Sequence, residues 1–239
     1  MFCFGSCGVK DDAVLNKTPC VAVLTDSNEY VAGKEFCESI NGELIEYANT
    51  SDAVTAVQNG KAEYVILNEY EAQSFIDAGC ELAFFEKCDF KLEYRAIFNI
   101  GNEELMNEFN GVINSLSEDG TLDEIKNTHI KGEFYETPAS SGVKGELTMI
   151  CDPIFENRAF YDGNSNIVGT DVDIAKTICA KLGYRLVIEV ADFDLMFKYL
   201  KSGDADFIMS SVEYTDQRAE NFIFSDVYST YEYNIYTSK

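Results

Sequence analysis

The stretch that decides the fold runs from Asn166 to Tyr228 and contains NIVGTDVDIAKTICAKLGY (166–184), DFDLMFKYLKSGDADFIMSSVEYTDQR (192–218) and FSDVY (224–228). Apolar residues at helical spacing predict a helix that Asp171 caps and Gly183 ends. A buried strand over 186–190, a short helix over 194–201 and a strand over 205–210 should follow. This alternation of strands and helices is typical of an open parallel sheet in an α/β protein.

Polar side chains follow the last of these strands. Ligands of open α/β sheets sit beyond the carboxyl ends of the strands, where Ser210, Ser211 and Arg218 lie. The planar guanidinium of an arginine makes two charge-assisted hydrogen bonds to a carboxylate, each worth roughly 1.5–3 kcal/mol. Arg218 is therefore predicted to hold the acid group of a ligand.

Four motifs of this stretch closely resemble those of the extracytoplasmic solute-binding proteins of polar amino-acid ABC transporters. That family carries G-F-D-V-D-hydrophobic-A, L-x-x-G-x-x-D-hydrophobic-hydrophobic-S, T-x-x-R and F-S-x-P-Y. The corresponding residues here are 169–175, 200–211, 215–218 and 224–228. The resemblance implies an α/β fold of the type II periplasmic-binding-protein kind, in which two open-sheet lobes are joined by a hinge and close around a ligand.

The first half of the chain resembles the second lobe of the same family, which normally follows the arginine-bearing lobe. Residues 21–27 (VAVLTDS) form a strand that meets a helix, 53–67 repeat the helix, glycine turn and strand of 195–209, and 116–125 (LSEDGTLDEI) look like the family's closing helix. The resemblance therefore implies a circular permutation. A cut from a tandem array of binding domains is the alternative.

This order divides the chain into three parts. Residues 1–17 are an N-terminal tail, 18–95 the small lobe (lobe 2) and 96–239 the large lobe (lobe 1). A linker of loop composition over 131–144 marks the permutation junction within lobe 1. The only covalent crossing between the lobes is expected near Arg95, and residues 18–21 should lie beside 236–239 in place of the second crossing.

The resemblance also implies where the ligand binds. Phe155 corresponds to the aromatic cover of the family's D-x-x-Y-x-P-F motif, and Asn157-Arg158 stand where that motif has Pro-Phe. Phe193 corresponds to a second aromatic wall, and Ser27 with Asn28 should face the ligand carboxylate. The complete predicted ligand-binding set is Arg218, Ser211, Glu213, Phe155, Phe193, Asp152, Ser27, Asn28, Asn68 and Glu69.

Three departures from the family bear on the ligand. Glu213 replaces a Ser or Thr that helps bind the carboxylate, Asp26 replaces a glycine, and Asn68, followed by Glu69, replaces the acid that pairs with the α-ammonium. Carboxylates at 26 and 213 would repel a ligand acid by roughly a few kcal/mol. Two roles stay open for Glu213: partner of a ligand ammonium, or a solvent-facing residue whose ion pair with Arg218 leaves the cleft degenerate.

Composition restricts the classes of function. A net charge of −24, from 42 acidic and 18 basic residues, excludes an electrostatic grip on nucleic acid and disfavours anionic membranes. The single histidine, His129, leaves no Ser-His-Asp or Cys-His arrangement. Eight cysteines without a C-x-x-C pair or a histidine cluster indicate no metal site, and they are either buried thiols or one or two disulfides. No cofactor is predicted.

The localisation follows from the resemblance. No apolar run approaches the roughly 18 residues that a membrane span needs. Phe4-Gly5-Ser6-Cys7 resembles the end of a lipoprotein signal, either as a remnant of one or by coincidence. The family is extracytoplasmic, so the chain is expected to be a cell-surface lipoprotein or a periplasmic protein whose signal is incomplete in this sequence.

The predicted function is capture of a small polar, amino-acid-like ligand in the interlobe cleft by a monomer that delivers it to a membrane ABC permease. It is a binding protein and not an enzyme in this interpretation. Two alternatives are a ligand-sensing or degenerate binding module and a prephenate or arogenate dehydratase-like enzyme on the same fold. The enzyme would use Glu213 or Glu69 as its general acid and Arg218 to hold the substrate carboxylate.

Overall fold

The computed structural model describes residues 18–25, 27–155 and 157–239. The predicted tail 1–17 and Asp26 therefore lie outside the described residues. The helices are α1 Asn28–Ser39, α2 Thr50–Gln58, α3 Glu69–Asp77, α4 Glu103–Glu118, α5 Thr121–Ile130, α6 Thr170–Leu182, α7 Phe193–Ser202 and α8 Asp216–Ala219. The strands are β1 Cys20–Leu24, β2 Glu43–Tyr47, β3 Tyr64–Asn68, β4 Leu82–Asn99, β5 Glu146–Cys151, β6 Ile154–Phe155, β7 Ala159–Tyr161, β8 Ile167–Val168, β9 Arg185–Val190, β10 Phe207–Ile208 and β11 Phe222–Ser238.

Eight of the strands form one mixed sheet in the order β2-β1-β3-β11-β4-β10-β5-β9, and β6, β7 and β8 form a small antiparallel sheet. The strands β2, β1 and β3 are parallel at one end, which we call the first half-sheet. The strands β10, β5 and β9 are parallel at the other end, the second half-sheet. The predicted α/β fold class is confirmed, as is the parallel sheet of the arginine-bearing half.

Two long strands join the half-sheets. Strands β4 and β11 are antiparallel and pair from Phe222 opposite Asn99 to Ser238 opposite Leu82, with four register shifts along the way. On its other side β11 pairs with β3 over Tyr233 to Tyr236, where the last two of these shifts fall. Register shifts bend and twist a ladder locally, so this pair is distorted where it runs between the two half-sheets.

The expectation of a single covalent crossing is wrong, because β11 carries the chain back to the first half-sheet. Its sequence, FIFSDVYSTYEYNIYTS, is rich in aromatic and β-branched residues and contains neither glycine nor proline. Nothing in it interrupts a strand, so β11 continues until it pairs with β3. The lobe boundary at residue 95 stays a prediction, with residues 233–236 of β11 attached to the smaller side.

The two ends of the described chain lie on either side of β3. Val65 of β3 pairs with Ala22 on one side and with Tyr236 on the other. Neighbouring strands lie about 4.8 Å apart, so the start of β1 and the end of β11 are about 10 Å apart. The two segments are neighbours as expected, although they replace no crossing.

Helices α4 and α5 pack on the second half-sheet, although they precede it in the chain. Phe109 of α4 is fully buried, with its ring 5.0 Å from Phe98 and 4.9 Å from Phe207. Gly120, with a φ of 81°, separates the two helices where one closing helix is predicted. His129 of α5 is buried, and its Nε2 lies 2.8 Å from Asp173 Oδ2 of α6. The only histidine of the chain thus joins two helices.

Helix α6 begins at Thr170, two residues before the start that a cap at Asp171 predicts. Gly169 precedes it with a φ of 128°, and a Cβ there would collide with the main-chain carbonyl of Arg158. Asp171 is therefore not the helix cap but a fully buried residue of the first turn. Cys151 and Cys179 are buried free thiols, one of the two states that the sequence left open for the cysteines.

Candidate ligand cleft

A cavity of about 640 Å³ lies between the two half-sheets, over the β4–β11 pair. Helix starts α1 and α3 form one wall, and β6 with the turn after β10 forms the other. The lining residues are Ser27, Asn28, Glu29, Thr50, Asn68, Tyr70, Glu71, Ser74, Phe75, Leu92, Tyr94, Ile154, Phe155, Asn157, Arg158, Ser211, Tyr231 and Tyr233. Five predicted ligand-binding residues are brought together here: Ser27, Asn28, Asn68, Phe155 and Ser211.

The first wall consists of two capped helix N-termini. Ser27 Oγ accepts the main-chain N–H of Tyr30 at 3.2 Å and donates to the Leu24 carbonyl at 2.6 Å. Asn68 Oδ1 accepts the main-chain N–H of Glu71 at 2.9 Å, and its Nδ2 donates to Glu71 Oε2 at 2.6 Å. Both residues lie in the cleft as predicted, but these side-chain groups already serve to begin helices.

The arginine of the cleft is Arg158, which the sequence analysis did not include in the site. Its Nε donates to Ser211 Oγ and its Nη1 to Ser229 Oγ, both at 2.9 Å. Its Nη2 lies 2.8 Å from Asp171 Oδ1, and both side chains are buried. Burial is the largest single influence and opposes the charge of Arg158, but the Asp171 carboxylate together with the nearby tyrosines raises the pKa of the guanidinium. The ring of Tyr94 covers the guanidinium at 4.6 Å.

Asp171 completes this network from the other side. Its Oδ2 accepts the main-chain N–H of Ser211 at 2.7 Å and the Ser211 hydroxyl at 2.9 Å. Ser211 has a φ of 51°, a left-handed conformation that is uncommon for serine and that these bonds stabilise. The charge of Arg158 is thus matched within the protein. One sequence feature could have indicated Arg158 as a residue of the cleft: Asn157-Arg158 stand where the family's motif has Pro-Phe.

The structure does not bring Arg218 into the cleft. Its Nη1 donates to the Glu213 carbonyl at 2.8 Å, and its guanidinium lies over the rings of Phe193 (5.5 Å) and Phe197 (5.4 Å). Cation–π attraction and the carbonyl hold it against α7. The proposed ion pair with Glu213 is also not formed, because the acceptor is the main chain and not the carboxylate.

Glu213 faces a second cavity of about 860 Å³, lined mostly by apolar groups and by Lys91, Glu93 and Arg95. Those three charges already pair with one another, since Glu93 lies 2.9 Å from Lys91 Nζ and 3.2 Å from Arg95 Nη2. The Glu213 backbone also bridges to Tyr94. Among the described residues of this depression, Lys91, Glu93 and Arg95 are thus paired with one another, and Glu213 is the charged residue without an ion pair.

Three further predicted residues hold secondary structure together and do not line the cleft. Asp152 Oδ2 accepts the main-chain N–H of Phe193 at 3.0 Å, which fixes the start of α7. Phe193 packs on Phe197, 5.6 Å between ring centres. Glu69 makes an ion pair of 2.9 Å with Lys126 of α5. Their placement contradicts the expectation that they face one groove with Asn68.

The open space of the cleft is acidic. Burial, together with the charge of Glu29, raises the pKa of Glu71 to about 7, against the opposing hydrogen bonds of Asn68 and Thr50. Glu29 is 7 % exposed, and no hydrogen-bond donor or cation of the described residues contacts its carboxylate. Both acids stand in the first turns of their helices, where the helix dipole favours negative charge.

Tyrosine rings complete the cavity. Tyr70 stacks on Tyr231 at 5.7 Å, Tyr233 meets Tyr231 edge-on at 5.7 Å, and Tyr94 lies 6.3 Å from Tyr231. The Tyr70 hydroxyl lies 3.1 Å from Thr170 Oγ1 of α6, so a hydrogen bond joins the two walls. The cleft is closed on the side of α3.

Comparison with known proteins places part of this chain in a family. Residues 147–239 match the sequence model of the bacterial extracellular solute-binding proteins, family 3. The resemblance that the motifs predict is thereby confirmed for this segment. It contains Arg158, Asp171 and Ser211, and so one wall of the cleft.

Individual relatives match over similar stretches. The arginine-binding extracellular protein ArtP of Bacillus subtilis is 37% identical over 101 residues, which are 42% of this chain and 40% of that protein. The probable histidine-binding protein of Neisseria gonorrhoeae is 34% identical over 67 residues, 28% of this chain and 25% of that protein. The chain thus spans less than half the length of these curated relatives.

Among solved structures, the arginine-bound domain 1 of TmArgBP is 34% identical, with a TM-score of 0.35, and the match covers 40% of this chain and 82% of that one. Within the described residues of the present protein, no helix combines the length and the apolar character that crossing a bilayer requires.

Proposed function

We propose that this protein captures a small polar, amino-acid-like ligand in the cleft between its half-sheets. The observation that carries the proposal is the cavity of about 640 Å³ between two walls that the β4–β11 pair and the α3 contacts join. Its size lies within the range of about 300–1,000 Å³ of small-molecule sites, and it combines aromatic faces with a few fixed polar groups. Polar groups that face a cavity between two halves favour a ligand around which the halves close.

The relatives support this class of function. They are named as arginine- and histidine-binding proteins, extracellular or periplasmic, and none of those cited is named as an enzyme. We propose the same extracytoplasmic location for this chain, as a monomer that passes its ligand to a membrane ABC permease. We also propose that the chain is anchored as a lipoprotein through residues 1–17. The dehydratase-like alternative loses support, because its proposed acids Glu213 and Glu69 both lie outside the cleft.

A thermal-shift screen tests the proposal. The panel consists of the common amino acids, their decarboxylated amines and small dicarboxylates. A ligand present at 100 times its dissociation constant should stabilise the fold by about 2.7 kcal/mol, because it binds the folded state alone. The melting temperature should rise with at least one ligand class. No shift with any of them, in a cooperatively melting protein, would favour the degenerate module instead.

We further propose that the order of the halves is a circular permutation of the family. A variant in which a Gly-Ser linker of about four residues joins Lys239 to Thr18, opened in the loop between Ala139 and Ser140, is expected to fold. Such a linker spans about 10 Å, the separation of the start of β1 from the end of β11. Its urea midpoint and circular dichroism should match those of the parent. An unfolded spectrum would show that the present order is essential.

A further inference from the structure

We infer that the cleft takes an organic cation, an amine or guanidinium, whose charge lies at Glu29 and Glu71 and whose binding requires no carboxylate. The inference rests on the proposed function and specifies its ligand class. It arises from one acid of the cavity wall whose carboxylate contacts no donor or cation of the described residues, from the absence of an available positive charge among the described lining residues, and from the tyrosines around Tyr231.

Glu29 is the strongest observation. It lines the cavity at 7 % exposure, and within the described part of the chain its carboxylate contacts no donor and no cation. Its oxygens are not among the fully buried atoms that lack a hydrogen-bond partner, so the carboxylate faces the open space of the cavity. Glu71, also in a helix first turn, differs from it because Asn68 and Thr50 occupy its oxygens. Glu29 therefore has hydrogen-bonding capacity that a ligand donor would satisfy.

A ligand carboxylate would find little to bind. Arg158 is the only lysine or arginine among the described lining residues, and its charge is already matched by Asp171. Arg218 lies against Phe193 and Phe197. An acid placed beside Glu29 would be repelled, whereas a cation would be attracted.

The rest of the cavity suits a cation with an apolar stem. Tyr70, Tyr231 and Tyr233 present ring faces and edges within one connected cluster, and such rings attract ammonium and guanidinium groups. Glu71 adds adaptability: with its pKa raised to about 7, it carries a proton in part of the molecules at neutral pH. A bound cation would favour the ionised form, so binding should release protons at neutral pH.

Isothermal titration calorimetry with three matched ligands tests the inference. Agmatine has the guanidinium and amine of arginine without its carboxylate, and norvaline has the α-amino acid group without the guanidinium. We expect agmatine to bind at least as tightly as arginine, and norvaline to bind at least tenfold more weakly. Binding of arginine with none of agmatine would overturn the inference and leave the proposed function intact. Binding of none of the three, nor of any ligand in the thermal-shift panel, would overturn both.

A pair of variants locates the cation. Glu29→Gln should weaken agmatine on the order of 30-fold, because it removes a charge-assisted contact while preserving shape. Glu35→Gln, on an exposed face of the same helix α1, should leave the affinity unchanged. Both variants should melt cooperatively like the parent. Equal affinity of the parent and Glu29→Gln for agmatine would contradict the assignment.

Discussion

Replacing Arg158 with leucine is expected to lower the free energy of unfolding by about 3–5 kcal/mol, because it leaves the Asp171 carboxylate buried without its counter-ion. Asp171 is fully buried, and its partners are Arg158, the hydroxyl and main-chain N–H of Ser211, and the nearby Tyr228 hydroxyl. Urea unfolding at neutral pH measures the loss. The double variant Arg158→Leu/Asp171→Leu should recover part of it, since both charges are then removed.

Arg218→Leu is the matched control. This guanidinium makes one hydrogen bond to a main-chain carbonyl and two ring contacts at a half-buried site, so its loss should cost only about 1–2 kcal/mol. Similar losses for the two single variants would contradict the different roles that the structure gives the two arginines.

Replacing Glu71 with glutamine is expected to stabilise the ligand-free protein, on the order of 2 kcal/mol at pH 8. The pKa of Glu71 is about 7 when folded, against an ordinary 4.5, so the folded state binds the extra proton between these values. Stability contributed by that proton therefore falls as the pH rises from about 4.5 to 7. Above pH 7 the buried charge beside Glu29 persists, and glutamine avoids it while its amide oxygen still accepts from Asn68.

The gap between Glu71→Gln and the parent should be near zero below pH 4.5, open between 4.5 and 7, and stay constant above. Urea unfolding at a series of pH values measures it. The groups that face Glu71 are Glu29, Thr50, Asn68, Tyr231 and Tyr233. Glu38→Gln, on the exposed side of α1, should change stability by less than about 0.5 kcal/mol at any pH. A gap independent of pH would show that Glu71 does not titrate near neutrality.

Periodic patterns allowed the α/β class and the parallel order of the second half to be predicted, because helix spacing and glycine stops are local signals. The path of β11 depends on pairing with a strand that is distant in the sequence, which local patterns do not reveal. Its last residues pair with β3, which lies 165 to 171 positions earlier in the chain. A second crossing therefore could not be inferred from spacing alone.

The site was predicted only in part for a similar reason. The T-x-x-R motif gives the sequence position of Arg218 but not the direction of its side chain, which the rings of Phe193 and Phe197 decide. The role of Arg158 depends on its ion pair with Asp171, which lies 13 positions later and is brought beside it by the turn at Gly169. An acid at Glu29 reads from sequence as an ordinary helix-start residue. Only the folded structure shows that no donor or cation of the described residues contacts its carboxylate.

The most direct test of the account is a crystal structure of the protein grown with agmatine or arginine. We predict ligand density over Tyr231, with a cationic nitrogen within about 4 Å of the Glu29 carboxylate, the usual limit of an ion pair. Arg158 should remain paired with Asp171, and Arg218 should remain on Phe193. A ligand whose carboxylate is held by Arg218, with the space beside Glu29 and Tyr231 unfilled, would contradict it.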